Sequence, residues 1–383
     1  MMNSTTHRAA ENMMRTTILA IGLTVCFATN TSAQPPQDFA GQVRQNFEAW
    51  DTDHDGKLSP NEVERAVADP KVKGNAAATA AALRRGVRAQ GIKSLSLQQI
   101  LNAVREPAKG TPKYEAMYKT AQERIRTAHR ELFVSDQPTV ECIGQGHLGD
   151  CFLLATLGTV AVNDPQRLKA MFKLLPEEKV EVSLGGRKLT LDLPTDAEIC
   201  IGAQNRNDGM WAVLFEKAVG TIYLERQKTP NHVTPLSIVG VGGSPHLPLE
   251  LLTGHAIKRT GCEDFQRDKL DAEARDKKLA EVRGKLTEAF RHKRLIVGGT
   301  AALGGKQTVV PGLYYNHSYG VLAFNDKTDE VTFWNPFGNR YTPKGSPGLT
   351  TGYATEHGRF TMPLTEAVMW FGSFSIESNE PAK

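Results

Sequence analysis

The sequence predicts an α+β protein in which a small all-helical module precedes a core that is helical in its first half and β-rich in its second. Three observations predict it. Apolar residues recur at spacings of three or four from Gln37 to about Val104. From residue 131 to Arg291 helical patterns predominate, interrupted by short strand-like runs around Gly185-Gly186. Beyond Arg291 the pattern changes to short β-like runs at 295–297, 318–324 and 330–334, separated by turn residues. Hydrophobic residues make up 40% of the chain and charged residues 23%, with a formal net charge of +4, which is the balance of a soluble globular protein. No dense basic stripe with interleaved aromatics occurs, so nucleic acid is not expected as a partner.

The first 33 residues read as an export signal. His7, Arg8 and Arg15 precede an apolar run from Ile18 to Ala28, and Thr31-Ser32-Ala33 offers small residues for cleavage after Ala33. The run is too short to span a bilayer, so a secreted or periplasmic protein without a membrane span is expected. Leu23-Thr24-Val25-Cys26 fits lipid anchoring at Cys26 less well, because Val25 is bulky where a small residue is needed. The four remaining cysteines, Cys142, Cys151, Cys200 and Cys262, are too few for a disulfide scaffold and have no CxxC spacing for structural zinc.

Residues 34–104 form the helical module. Phe39, Val43, Phe47 and Trp50 share one helix face. Asp51-Thr52-Asp53-His54-Asp55-Gly56-Lys57-Leu58-Ser59-Pro60-Asn61-Glu62 follows, and it matches a calcium-binding EF-hand loop. Asp51, Asp53 and Asp55 fall at the first, third and fifth ligand positions, and Gly56 at the bend. Lys57 offers its backbone carbonyl, Ser59 takes the position that often binds through water, and Glu62 is the bidentate twelfth ligand. Calcium is therefore the expected cofactor. Shifting the sequence by 37 residues lays Leu58-Ser59 on Leu95-Ser96 and Val63 on Ile100, but the ligand positions become Arg88, Gln90, Ile92 and Gln99. One intact loop paired with one degenerate loop is expected.

Residues 105–130 read as a linker, with Pro107, Gly110 and Pro112, followed by a helix from about Tyr114. The core spans 131–380. Within it, helices are expected from Cys151 to Val162, to Phe172, over 211–225 and over 264–291, and a hairpin around Gly185-Gly186.

Cys151 lies where the glycine-rich turn Gln145-Gly146-His147-Leu148-Gly149-Asp150 meets an apolar helix. A helix start offers free N–H groups and a partial positive charge, which favour a thiolate. A cysteine nucleophile needs a base and a group that orients it. His317 opens one strand, and Asn335 closes the next in Asn335-Pro336-Phe337-Gly338. Two adjacent antiparallel strands joined by 325–329 would bring the two side chains together.

These motifs, in the order Cys151, His317, Asn335, resemble the protease core of the calpain family. So do Trp211–Ala218, read as W-x-x-x-x-E-K-A, Leu252-Thr253-Gly254, and Gly358-Arg359-Phe360. The resemblance covers about residues 130–380. It implies a papain-like fold in two subdomains and a cysteine endopeptidase acting on protein or peptide substrates. Cys151 then matches the nucleophile, His317 the base, Asn335 its orienter and Gln145 the side-chain donor of the oxyanion hole. The family usually has indoles where this chain has Phe152 and Phe337, and a phenyl ring covers less of the His–Asn pair. Two other readings are a calcium-responsive binding module on an inactive protease scaffold, and a thiol amidase or transpeptidase acting on a non-protein amide.

Overall fold

The computed structural model describes residues 38–204, 208–228, 231–266, 270–300 and 309–382. The expected export signal and Cys26 lie outside them. No helix among the described residues is long and apolar enough to cross a membrane.

Helix α1 (Phe39–Trp50) starts at Asp38, whose carboxylate accepts from the Gly41 N–H, and it buries Phe39, Val43, Phe47 and Trp50. The acidic loop leads into strand β1 (Lys57–Leu58) and helix α2 (Pro60–Ala68), which begins with a Ser59–Glu62 capping box. Helix α3 (Gly74–Gln90), strand β2 (Leu95–Ser96) and helix α4 (Leu97–Arg105) repeat that frame. A Ser96–Gln99 box caps α4, and β2 pairs antiparallel with β1, with Leu58 opposite Leu95. The 37-residue sequence shift therefore corresponds to two helix–loop–helix units joined by a short ladder. Helix α5 (Tyr114–Thr127) closes the layer, with Tyr114 stacked on Phe39 at 5.2 Å.

Helix α6 (Cys151–Asn163) is apolar on all sides and buried along most of its length, as a central helix must be. Helix α7 (Pro165–Ala170) stops short of Phe172, where the sequence pattern placed its end. Phe172 instead opens strand β3 (Phe172–Leu175), which pairs with β4 (Lys179–Leu184), and β4 pairs with β5 (Arg187–Asp192). The run Phe-Lys-Leu-Leu has no strong strand propensity, and pairing against Val180 and Val182 decides its conformation. Helices α8 (Asp196–Ile201), α9 (Trp211–Arg226), α10 (Pro235–Val239) and α11 (His246–Thr253) follow.

The remaining elements are β6 (His255–Gly261), α12 (Glu263–Gln266), α13 (Ala272–Arg291), β7 (Ile296–Thr300), β8 (His317–Asn325), β9 (Glu330–Trp334), β10 (Arg359–Pro363), α14 (Leu364–Trp370) and β11 (Ser373–Pro381). The strands build an antiparallel sheet in the order β10-β9-β8-β7-β11-β6, so the last strand inserts between β7 and β6.

Both faces of this sheet are buried. Val297, Leu322 and Trp334 join a large hydrophobic cluster that also holds α6, α9 and the buried faces of α1 to α5. Tyr319, Val321 and Phe333 face a second cluster with α13 and α14. The alternation along β8 and β9 sends successive side chains to opposite clusters. The helices of residues 39–127 thus share one core with α6, and the described residues form one compact unit.

Candidate active site

The loop before α6 is fixed by main-chain bonds to three other segments. The N–H groups of Gly144, His147 and Gly149 donate to the carbonyls of Gln204, Ile201 and Gly240, at 2.8, 2.7 and 2.9 Å. Gly146 runs so close to this strap that a Cβ would strike the Ile201 and Gly202 carbonyls, so no other residue fits. Gln145 N–H donates to the Pro336 carbonyl at 2.9 Å, tying the loop to the turn after β9.

Asp150 occupies the N-cap position of α6 but makes no capping bond. Its side chain is fully buried beside that of Glu216, which is also fully buried. Burial raises the carboxyl pKa of Asp150. Burial and the neighbouring charge raise Glu216 well above the carboxylate range. Both Glu216 oxygens accept from the Ala203 N–H, at 3.0 and 2.8 Å, while the Asp150 oxygens accept from no N–H or hydroxyl. The contact between the two carboxyls acts to lower the Asp150 pKa and to raise that of Glu216. With Asp150 turned inward, the first-turn donors of α6 remain available at Cys151.

Helix α6 packs against β8 at Gly320, where a Cβ would lie 3.1 Å from the Ala155 carbonyl. That close approach sets the start of α6, with Cys151, and the start of β8, with His317, on one cavity of about 630 Å³. The Cys151 sulfur lies by the backbone N–H and hydroxyl of Ser318 and the N–H of Phe152. Cys151 is half-buried, and burial raises its thiol pKa although these donors act to lower it.

His317 is 6% exposed and Asn335 0%. His317 Nε2 lies 2.7 Å from Asn335 Oδ1. The direction of this bond follows from its neighbours. The Gly312 carbonyl can only accept, so Asn339 turns its Nδ2 toward it, at 3.0 Å. Asn339 Oδ1 then accepts from Asn335 Nδ2 at 2.8 Å, and the Phe337 N–H donates to Asn335 Oδ1 at 3.0 Å. Asn335 Oδ1 is therefore an acceptor, Nε2 carries the proton, and Nδ1 is left with the lone pair. Phe337 stacks on the imidazole at 4.4 Å between ring centroids, and Tyr319 meets it edge-on at 5.0 Å. Although smaller than an indole, the phenyl ring leaves Asn335 fully covered.

Burial lowers the His317 pKa to about 4, against the opposing effect of the Asn335 bond. Burial thus pushes the thiol up and the imidazole down. Desolvation of both partners opposes the thiolate that the helix start favours.

Gln145 lines the same cavity, and its Nε2 donates to the Leu148 carbonyl at 2.7 Å. One amide hydrogen stays uncommitted. Three residues that the sequence did not single out also line this cavity: Arg84, Arg85 and Arg88 of α3. Ser318 and Asn339 were missed as well. Ser318 had its place after His317 as a signal, while Asn339 lies in a turn with none.

In the acidic loop, carboxylate oxygens of Asp51, Asp53 and Asp55 lie within 4.8 Å of one another. Gly56 takes a left-handed φ of 79°. The Asp51 carboxylate accepts from the N–H groups of Asp55 and Gly56, at 3.2 and 2.9 Å. Glu62 closes the loop: Oε1 accepts from the Thr52 N–H at 2.7 Å, and Oε2 from the Ser59 N–H and hydroxyl, both at 2.8 Å. Against the upward push of burial, these bonds hold the Glu62 carboxyl below its ordinary value. The Lys57 N–H donates to Asp55 Oδ1 at 2.8 Å, and Lys57 pairs with Ser96 across the ladder. The Ser59 hydroxyl serves the α2 cap. Converging hard oxygens of this kind fit a divalent cation such as calcium.

A sequence profile described as calpain family cysteine protease matches residues 101–346, more than half of the chain. No curated protein matches the chain. The segment matched contains Cys151, His317 and Asn335, and the chain belongs to the calpain family of cysteine proteases.

Proposed function

We propose that the protein is an exported cysteine endopeptidase of papain-like, two-subdomain layout that hydrolyses peptide bonds with Cys151, His317 and Asn335. The observation that carries the reading is the buried 2.7 Å His317–Asn335 bond at the cavity that holds Cys151. Asn335 fixes the tautomer with the Nδ1 lone pair free. As Cys151 Sγ bonds to the substrate carbonyl carbon, Nδ1 takes the thiol proton. The carbonyl π pair moves to oxygen, where the Cys151 N–H and the second Gln145 amide hydrogen receive it. Collapse of the intermediate expels the amine, which takes the proton from His317. Water then cleaves the thioester by the same route. The division between α6 on one side of the cavity and β8 on the other supports the papain-like layout.

We also infer that the loop 51–62 is an EF-hand that binds one calcium ion through Asp51, Asp53, Asp55 and Glu62, with the Lys57 carbonyl and the Ser59 position completing the set. Bound calcium offsets the charge of these carboxylates and stiffens the loop. The degenerate partner loop contributes the ladder and no ligands.

The test is hydrolysis of an unfolded protein by residues 34–383, with and without calcium, beside Cys151→Ala. Activity is expected for wild type and none above background for Cys151→Ala. Equal rates for the two end the peptidase reading.

A further inference from the structure

The cavity that holds Cys151 and His317 is lined by Arg84, Arg85 and Arg88, and by no Asp or Glu among the described residues. The three arginines sit in the last turns of α3, at spacings of one and three, so they face the same side.

Their charges are only partly met. Arg84 is 1% exposed, and its Nε is held by both oxygens of Glu64 at 2.9 Å. Its Nη1 and Nη2, also buried, have no partner among the described residues. Arg88 Nη2 donates to the Gly240 carbonyl at 2.8 Å, a bond that positions the side chain without neutralising it. Arg85 makes no hydrogen bond or ion pair with any described residue. The buried Asp150 carboxyl acts on Arg88 as a second acidic group beside Glu64. Arg85 and the Nη atoms of Arg84 are therefore left without an acceptor among the described residues. Buried or half-buried guanidinium donors without an acceptor are costly, and a planar fork matches a carboxylate in two points.

We propose that Arg85 and Arg88, backed by the buried Arg84, form a carboxylate-recognising subsite of the cleft, so that the enzyme selects peptides with a carboxylate near the scissile bond. The carboxylate belongs either to an Asp or Glu side chain or to a free C-terminus. The proposal rests on the peptidase reading for its placement beside the bond cleaved. The recognition itself is a binding property and is separable from turnover. Arg88 and Arg84 are anchored by Gly240 and Glu64, so Arg85 is the member free to close on the ligand.

The experiment uses the full chain carrying Cys151→Ala, and a peptide spanning a cut that wild type makes in an unfolded protein. Where wild type makes no cut, the peptide is an arbitrary unfolded one. Versions of it carry Glu or Gln at each position from three before to three after the central bond, and end in either an acid or an amide. Equilibrium affinity is read for each. The expected result is one position, or the C-terminal acid, at which the carboxylate binds about 10- to 100-fold tighter than its neutral isostere, the range of a charge-assisted hydrogen bond. The same ratio falls toward one in Arg85→Gln, persists in Arg85→Lys, and shrinks as salt is raised in the parent protein. The position of the effect distinguishes a side chain from a terminus. Equal affinities at every position and terminus, or a ratio unchanged by Arg85→Gln and by salt, overturn the subsite. Discrimination in binding without any hydrolysis by wild type overturns the peptidase reading alone. Hydrolysis without discrimination overturns the subsite alone.

Discussion

His317 draws its orientation from an acceptor that cannot change its role. The Gly312 carbonyl orients Asn339, Asn339 orients Asn335, and Asn335 sets the imidazole tautomer. Asn339→Ala is expected to lower kcat about tenfold with little change in KM, because the Asn335 amide loses one of the bonds that hold it. An unchanged kcat contradicts this chain of bonds. The same burial makes a pH prediction. Folded His317 has a pKa of about 4, below the ordinary value near 6.5, so the unfolded chain binds the proton first as pH falls. Its contribution to stability is intact above about pH 6.5 and is lost progressively down to about pH 4. His147, lowered to about 3 by burial and nearby arginines, acts in the same direction. The urea midpoint of wild type should therefore fall more steeply over that window than that of His317→Gln. Parallel curves contradict the assignment.

Among the elements, helix α2 joins two parts of the molecule that the sequence presents separately. It begins at the acidic loop with Glu62 and, two residues on, pairs Glu64 with Arg84 at the cleft. Both side chains are nearly inaccessible, at 8% and 2%. Glu64→Gln should destabilise the fold by about 3–5 kcal/mol, the usual cost of leaving a buried charge alone, as read from urea unfolding. A change below about 1 kcal/mol would show that this pair is solvated. Calcium titration of the whole chain by calorimetry should give one ion, abolished by Glu62→Gln. Two ions would mean that the second loop binds as well. Helices α1, α9 and α13 were legible because apolar residues recur in them at spacings of three and four, and α6 because an unbroken apolar run follows the glycine-rich turn. Strand β3 was not, because four residues carry too little pattern to outweigh helical propensity. Strands β6 and β11 were not: they pair with each other across more than a hundred residues of sequence.

For the molecule as a whole, the sequence marked Cys151, His317 and Asn335 through their local settings: a glycine-rich turn before a helix, and two strand ends. It could not mark Arg84, Arg85 and Arg88, whose role arises only because α3 shares a core with α6. Nor could it give the direction in which burial by distant segments shifts the thiol and the imidazole. The account turns on one claim, that this fold makes Cys151 a nucleophile through His317. Labelling the whole chain with a peptidyl electrophile at neutral pH, and locating the adduct by mass spectrometry, tests it most directly. The account predicts modification at Cys151 ahead of Cys142, Cys200 and Cys262, and loss of that preference in His317→Ala. Modification of Cys151 at the same rate with and without His317, or at Cys142 instead, would contradict it.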